Sequence, residues 1–283
     1  MNLAKYQKKN SKFLNQLDML KKYSLSYDDL KKIKARCIRK KIKFMASPFD
    51  EQSAMILKKM KPRFIKIPSG EITNIPLLRL IGKFKIKVII STGMSKLDEI
   101  KNAIIILTNS GLKKKNISIL HCSTEYPANI SKLNLLSIKY LSEKLKIQVG
   151  YSDHSQGSEA SIMAISLGAK IIEKHFTLNK KMKGPDHSSS LSPFELYKFV
   201  KKIRCYEKSL GKYEKKPYFN ELKNLNIVRK QIVAKRQIKK GERFSILNIT
   251  TKRAKKGIPA SNWDKIIGKK SKFNFYFDDN IKI

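Results

Sequence analysis

Two short polar stretches decide the fold: Gly150-Tyr151-Ser152-Asp153-His154 and Glu173-Lys174-His175-Phe176-Thr177. Each follows a short apolar run, at 147–149 and at 170–172, and a helix-like segment lies between them. This order predicts a βαβ unit, in which the carboxyl ends of two parallel strands lie side by side. Both histidines would then reach one mouth of one sheet. Because Asp186 follows close behind, the sequence predicts a site for a divalent cation there.

The alternation of strand and helix continues along the chain. Short runs rich in Ile and Val are separated by amphipathic segments, which predicts a parallel sheet covered by helices. The predicted strands are 43–46, 64–67, 87–90, 117–120, 147–149 and 170–172. The predicted helices are 11–22, 26–41, 51–60, 75–81, 96–108, 133–145, 158–167 and 193–210. A polar or glycine-containing cluster ends each strand, which is typical of the catalytic face of a (β/α)₈ barrel.

The pattern also predicts how the chain is divided. The predicted strands are two fewer than a closed (β/α)₈ barrel needs, so we expect residues 1–211 to form a TIM-type barrel that lacks its first two βα units. A charged stretch without periodicity predicts a linker at 212–226. Residues 227–283 contain short strand-like runs between glycine turns, which predicts a small β-rich domain.

Charge is the strongest feature of the composition. The 283 residues carry a net charge of +40, from 62 basic and 22 acidic side chains. Most of the basic residues are Lys, and they are spread over every predicted helix, whereas specific nucleic-acid sites gather Arg and aromatic side chains on one face. We therefore expect no specific nucleic-acid partner. Non-specific binding of polyanions follows from charge alone and remains an alternative.

Other compositional features bear on the compartment. Residues 1–10 are polar and lysine-rich without an apolar core, and the chain has no run of about 18 apolar residues. The cysteines Cys37, Cys122 and Cys205 are an odd number at wide spacings, which argues against a disulfide framework and a zinc ribbon. We expect a soluble cytoplasmic protein with reduced thiols and no membrane partner.

Several short motifs, in this order and spacing, resemble one known family. They are 48–50, 66–71, 91–94, 121–127, 150–154, 173–177, 184–187 and the pair Lys252-Arg253. Together they cover essentially the whole chain, and they are similar to those of the sialic acid synthases, which include bacterial enzymes for legionaminic and pseudaminic acids. The resemblance implies a TIM barrel followed by an antifreeze-like (SAF) domain.

The resemblance also implies an activity and its site. The reaction would condense phosphoenolpyruvate with an N-acetylated hexosamine aldehyde, either N-acetylmannosamine or its diacetamido-dideoxy analogue. A divalent ion, Mn²⁺ or Mg²⁺, would be held by His154 and His175. Phosphoenolpyruvate would contact Lys66, Ser69 and Ser91. The residues that hold the sugar hydroxyls or orient water would be Glu71, Tyr126 and Asp186, and further substrate contacts would come from Ser47, Phe49, Glu125 and Ser152.

One implied residue lies outside the barrel. Arg253 of the small domain would complete the site of a neighbouring subunit, in a domain-swapped homodimer. Within the site, Glu125 favours an N-acetylneuraminic or legionaminic acid product over pseudaminic acid, because a carboxylate accepts hydrogen bonds from hydroxyl or amide donors. Two other interpretations stay open: a catalytically impaired sugar-binding subunit, and a polyanion-binding protein. Glu71 also has a simpler alternative role, which is to cap the helix that begins near Asn74.

Overall fold

The computed structural model describes residues 15–254 and 256–283. Their contacts divide the chain into two compact units, with the boundary between Gly211 and Lys212. The elements of the first unit are α1 Gln16–Tyr23, α2 Tyr27–Arg39, β1 Met45–Ala46, α3 Glu51–Met60, β2 Phe64–Ile67, α4 Ile75–Lys83, β3 Lys87–Ser91, α5 Leu97–Asn109, β4 Ile117–Cys122, α6 Leu136–Leu145, β5 Gln148–Asp153, α7 Glu159–Ser166, β6 Ile172–Lys174 and α8 Pro193–Ser209. The start of the helix predicted at 11–22, and the polar segment 1–10, lie outside the described residues. None of the described helices is both long and apolar enough to cross a bilayer.

The sheet of the first unit is parallel throughout. Its described strands are ordered β1-β2-β3-β4-β5-β6, the same order as in the chain, so each βα unit adds the next strand beside the last. Helices cover its outer face and enclose a core that includes the fully buried side chains Ile65, Leu78, Ile90 and Ile119. Burial of these Ile and Leu side chains is the main favourable term that holds sheet and helices together. The predicted parallel α/β unit is therefore confirmed.

Two strands extend further than the sequence predicts. The strand predicted at 147–149 runs to Asp153, and the strand predicted at 170–172 runs to Lys174. Their polar ends stay in the sheet because Ser152 pairs with Glu173, and Asp153 pairs with Lys174, in the ladder between β5 and β6. Successive side chains of a strand point to opposite faces. The polar clusters are therefore shared between two faces of the sheet and do not form one loop.

The second unit contains a small antiparallel sheet. Its elements are α9 Phe219–Val228, β7 Lys230–Ala234, β8 Ile249–Arg253, β9 Ile258–Pro259 and α10 Trp263–Ile266. Strand β7 lies between β8 and β9, and Ile232, Phe244 and Phe275 are buried in the core below it. The small β-rich unit is as predicted, but the linker predicted at 212–226 is not irregular throughout, because α9 occupies its second half. Glu221 stabilises the start of α9 by accepting the Tyr218 N–H over 2.8 Å.

Candidate active site

A continuous chain of polar contacts crosses the inner face of the parallel sheet. On β2, Lys66 Nζ donates to Ser91 Oγ of β3 over 2.7 Å and lies 3.4 Å from Glu173 Oε1 of β6. On β5, Ser152 Oγ donates to the same Glu173 oxygen over 2.7 Å. These four side chains, from four strands, are hereafter called the polar chain. It places a buried ammonium group beside a carboxylate and two hydroxyl groups.

The polar chain shows that the sheet is strongly curled. Strands β2 and β6 are separated by β3, β4 and β5 in the sheet order, which in a flat sheet corresponds to about 19 Å. Lys66 and Glu173 nevertheless approach within 3.4 Å. Their strands must therefore bend towards each other, and the face that carries the polar chain is concave. A concave face with convergent polar groups is the usual form of a small-molecule site.

Two imidazole rings lie at the end of this concave face. His154 directly follows β5 and His175 directly follows β6, and their ring centroids are 5.2 Å apart with planes at 81°. The Tyr126 ring lies against both, 4.1 Å from His154 and 5.3 Å from His175. The structure thus brings together the three predicted residues His154, His175 and Tyr126, as expected for successive strands of a βαβ unit.

The protons around His154 can be assigned from its partners. Its Nδ1 lies 2.5 Å from the carbonyl oxygen of Ser123, which can only accept, so Nδ1 carries a proton. Burial lowers the pKa of His154 to about 4, so the ring is neutral at pH 7 and Nε2 keeps its lone pair. Ser152 Oγ is 3.3 Å from Nε2, but its one proton is donated to Glu173. The Nε2 lone pair is therefore available to a cation.

Asp186 adds an acceptor beside the second imidazole. Its Oδ2 lies 3.8 Å from His175 Nδ1, and its Oδ1 is buried without a hydrogen-bond partner among the described residues. A buried polar atom without a partner is costly, and a ligand or water would satisfy it. No group of three His, Cys, Asp or Glu side chains within the described residues is arranged to hold a metal ion. The residues at this end of the face that could serve as ligands are the two imidazoles, with the Asp186 carboxylate beside His175.

Ser69 extends the polar surface beyond the polar chain. Its hydroxyl accepts the N–H of Gly93 over 2.9 Å and lies 3.3 Å from Cys122 Sγ. Glycine is required at position 93, because a Cβ there would lie 2.9 Å from Ser69 Oγ and 2.7 Å from the Thr124 side chain. The Ser-Thr-Gly sequence after β3 thus lets the backbone approach the hydroxyl of the neighbouring loop.

Four other predicted barrel residues are not joined to the polar chain by any hydrogen bond among the described residues. Glu71 accepts from the side-chain amide of Asn74 over 2.7 Å, and Asn74, not Glu71, is the N-cap residue of α4, so Glu71 supports the cap without forming it. Ser47 and Phe49 lie in the loop after β1, with the Phe49 ring exposed, and Glu125 is exposed in the loop after β4. All four follow the carboxyl ends of their strands. Arg253 is the exposed last residue of β8 in the second unit.

Sequence reasoning missed one central residue. Glu173 belongs to one of the sequence motifs, which by itself indicates no role for it, although its carboxylate joins Lys66 to Ser152. The alternation of side chains along β6 could have identified it, because residues two apart in a strand share a face and Glu173 is two before His175. The sequence predicts that the strand ends at residue 172, so it does not indicate that Glu173 and His175 share a face.

The sequence profiles of two families match the chain. The NeuB family profile matches residues 1–215, and the SAF domain profile matches residues 229–278. The chain therefore belongs to the NeuB family and carries a SAF domain, as the sequence motifs indicated.

Individual relatives show which members of the family the chain resembles. The chain is 45% identical to the N,N′-diacetyllegionaminic acid synthase of Campylobacter jejuni over 95% of this chain and 80% of that protein. It is 35% identical to the pseudaminic acid synthase of the same organism, over 84% of this chain and 68% of that one. The crystal structure of an N-acetylneuraminic acid synthetase from Leptospira borgpetersenii, in complex with citrate, superposes with a TM-score of 0.71 at 31% identity, covering 78% of this chain and 76% of that chain. These relatives are named synthases or synthetases, which supports the prediction that the chain is an enzyme.

Proposed function

We propose that this chain condenses phosphoenolpyruvate with an N-acetylated hexosamine aldehyde, to give a nonulosonic acid and inorganic phosphate. The observation that carries the proposal is the position of Lys66, which is buried on the concave face beside Glu173. The other partner of Glu173, Ser152, has its hydroxyl oxygen 3.3 Å from Nε2 of His154. An ammonium group and hydroxyl donors suit an anionic substrate, and a pair of imidazoles suits a cation. The two halves of the site would thus hold the two substrates next to each other.

Phosphoenolpyruvate would lie along Lys66, Ser69 and Ser91. Lys66 provides a positive charge in a place that water reaches poorly, where its interaction with phosphate or carboxylate oxygens is strengthened. The methylene carbon of phosphoenolpyruvate would then attack the aldehyde carbon of the sugar. The new carbon–carbon bond forms as the aldehyde oxygen takes up a proton, water adds to the former enol carbon with loss of a proton, and phosphate leaves as the keto group forms.

The sugar would lie against the imidazole pair. His154 and His175 are the residues that would hold Mn²⁺ or Mg²⁺, and such an ion supplies Lewis-acid polarisation of a carbonyl oxygen. Asp186 Oδ1, which has no partner in the described structure, would accept a hydrogen bond from a sugar hydroxyl or from the attacking water. The Tyr126 ring, packed on both imidazoles, would exclude bulk water from that side.

The identity to the two Campylobacter jejuni enzymes supports a legionaminic-type product. The chain is 45% identical to the diacetyllegionaminic acid synthase and 35% identical to the pseudaminic acid synthase. We therefore propose the diacetamido-dideoxy analogue of N-acetylmannosamine as the sugar, and keep N-acetylmannosamine itself as the second candidate. The exposed carboxylate of Glu125 would lie on the sugar side of the site.

The test is a direct assay of the full chain. It is mixed with Mn²⁺, phosphoenolpyruvate and each of the two sugars in turn, and phosphate release and nonulosonic acid are both measured. We expect turnover with the diacetamido sugar, and little with Lys66→Met. Lys87→Met is the matched control, because Lys87 is an exposed lysine at the other end of β3. No turnover with either sugar would favour the alternative of a catalytically impaired sugar-binding subunit.

We also propose that the six-stranded sheet is an arc of a (β/α)₈ barrel, with two further βα units between β6 and β1. The apolar side chains of Met45 on β1, and of Ile33 and Ile38 on α2, are exposed and would be covered by such units. A polypeptide with two βα units, added in trans, should then raise the thermal midpoint of the chain. No binding would count against this arrangement. The swapped homodimer and the cytoplasmic location stay predictions.

A further inference from the structure

A second set of polar side chains lies on the opposite face of β5 and β6. The Asp153 carboxylate of β5 lies 2.9 Å from Lys174 Nζ of β6, and the two side chains are 0% and 4% exposed. Asp153 also accepts from the hydroxyl of Ser161 on α7 over 2.6 Å, which places the pair between the sheet and that helix. The pair is therefore separated from the polar chain by the sheet itself.

The pair lies at the end of the ladder between β5 and β6, directly before the two histidines. Asp153 and Lys174 are the last partners in the ladder between β5 and β6, and each is followed directly by a histidine. Beyond that point the carbonyl of His154 accepts from Ala128 N, and the carbonyl of His175 accepts from Leu191 N, both over 2.9 Å. The backbones of the two histidines are thus bonded to two different loops and not to each other.

The side chains of Asp153 and Lys174 connect the two chain segments beyond the end of the ladder. Lys174 Nζ donates to the carbonyl oxygen of Ser155 over 2.5 Å, so it ties the residue before His175 to the residue after His154. Asp153 accepts the N–H and the hydroxyl of the same Ser155, over 2.8 and 2.6 Å. His154 is therefore held on both sides by residues that are bound to the ion pair.

We propose that Asp153 and Lys174 are positioning residues, which set the separation of the His154 and His175 rings and thereby the affinity of the site for a divalent cation. The proposal rests on the proposed function, in which these rings hold the ion. Among the described residues, neither side chain has a hydrogen bond to the polar chain or to the two imidazoles. Partners that orient metal ligands typically change metal affinity by about 10- to 100-fold when they are removed.

The test measures Mn²⁺ binding to the full chain by electron paramagnetic resonance of the free ion, together with the affinity for phosphoenolpyruvate. Lys174→Met should weaken Mn²⁺ binding at least about tenfold. It should leave the affinity for phosphoenolpyruvate within about twofold, because Lys66 and Ser91 lie on β2 and β3. Ile138→Ala, which opens a cavity in the same core under α6, is the matched control for lost stability and should leave Mn²⁺ binding unchanged.

A double variant separates positioning from stability. Lys174→Met alone leaves a buried carboxylate without its cation, whereas Asp153→Asn combined with Lys174→Met removes both charges. The double variant should recover stability towards the wild type in urea unfolding and still bind Mn²⁺ weakly. Recovery of Mn²⁺ affinity along with stability would overturn the positioning role, as would an equal loss of Mn²⁺ affinity in Ile138→Ala.

The two proposals fail in different ways. If the wild-type chain shows no saturable Mn²⁺ binding, or if His154→Ala binds as tightly as wild type, the cation site is refuted and the positioning role falls with it. If the wild type binds Mn²⁺ through His154 but Lys174→Met binds equally well, only the positioning role is refuted.

Discussion

Replacing Lys66 by Met tests the site most directly, because the change removes one charge and nearly conserves side-chain length. Lys66 is 8% exposed and makes its polar contacts to Ser91 and Glu173. Hydrogen bonds to charged groups contribute about 1.5–3 kcal/mol, so the loss of one such contact to phosphoenolpyruvate should lower kcat/KM by roughly 10- to 150-fold. The loss should appear when phosphoenolpyruvate is varied at saturating sugar.

The same substitution should also lower stability. Removing one partner of a buried ion pair costs about 3–5 kcal/mol when the other stays buried. The Glu173 side chain is 32% exposed, so water can solvate part of the remaining charge, and we expect a smaller loss of about 1–3 kcal/mol. Urea unfolding of the purified variant measures this loss in the free energy of unfolding separately from the kinetics.

The double variant Lys66→Met with Glu173→Gln separates the two effects. It contains no unpaired carboxylate, so its free energy of unfolding should return towards that of the wild type, while kcat/KM for phosphoenolpyruvate stays low. Lys87→Met, at an exposed position, should change neither quantity. If Lys66→Met folds and its kcat/KM for phosphoenolpyruvate is within about twofold of wild type, the assignment of the anionic substrate to Lys66 is refuted.

Three further predictions follow from other parts of the molecule. His154→Ala and His175→Ala together should abolish saturable Mn²⁺ binding, and because the His154 ring is buried, urea unfolding must first show that this variant folds; wild-type binding by the folded variant would contradict the assignment. The hydrogen bond from Lys180 and the N–H of Ser192 lower the pKa of Glu195 to about 2, below its ordinary value of 4.5, so its stabilising effect is present above pH 4.5 and is lost as the pH falls towards 2. Glu195→Gln should therefore lose less stability than wild type over that range in urea unfolding, and equal losses would disprove it. For the swapped dimer, mixing Arg253→Ala subunits with His154→Ala subunits should restore activity through dimers with one intact site, and no recovery would reject the swap.

The sequence predicted the order of elements well because that order depends on local patterns. The strand at 64–67 and the helix at 51–60 are placed as predicted, since each has a continuous pattern with a clear end, such as the Asp50 cap of α3. The helix Phe219–Val228, in the second half of the predicted linker, was not predicted, because the segment has no clear apolar periodicity.

The ends of β5 and β6 could not be predicted for a different reason. Ser152, Asp153, Glu173 and Lys174 are consecutive polar residues at the ends of their strands, so local propensity favours a loop for them. What keeps them in the strands is pairing with each other and with partners on other elements, such as Ser161 of α7 and Lys66 of β2. Such pairings are tertiary, and single-sequence patterns do not contain them.

The polar ends of β5 and β6 place side chains on both faces of the sheet. Because side chains alternate, Ser152 and Glu173 face the concave side, where they form the polar chain with Lys66, and Asp153 and Lys174 face α7. An apolar pair in the outer positions would pack against the helix without binding the loop that follows His154. The outer ion pair instead binds Ser155 through both its N–H and its carbonyl oxygen. A strand that ends at a site can thus use polar residues on both faces: in our proposal, those on the inner face line the site, and those on the outer face hold the loop that carries His154.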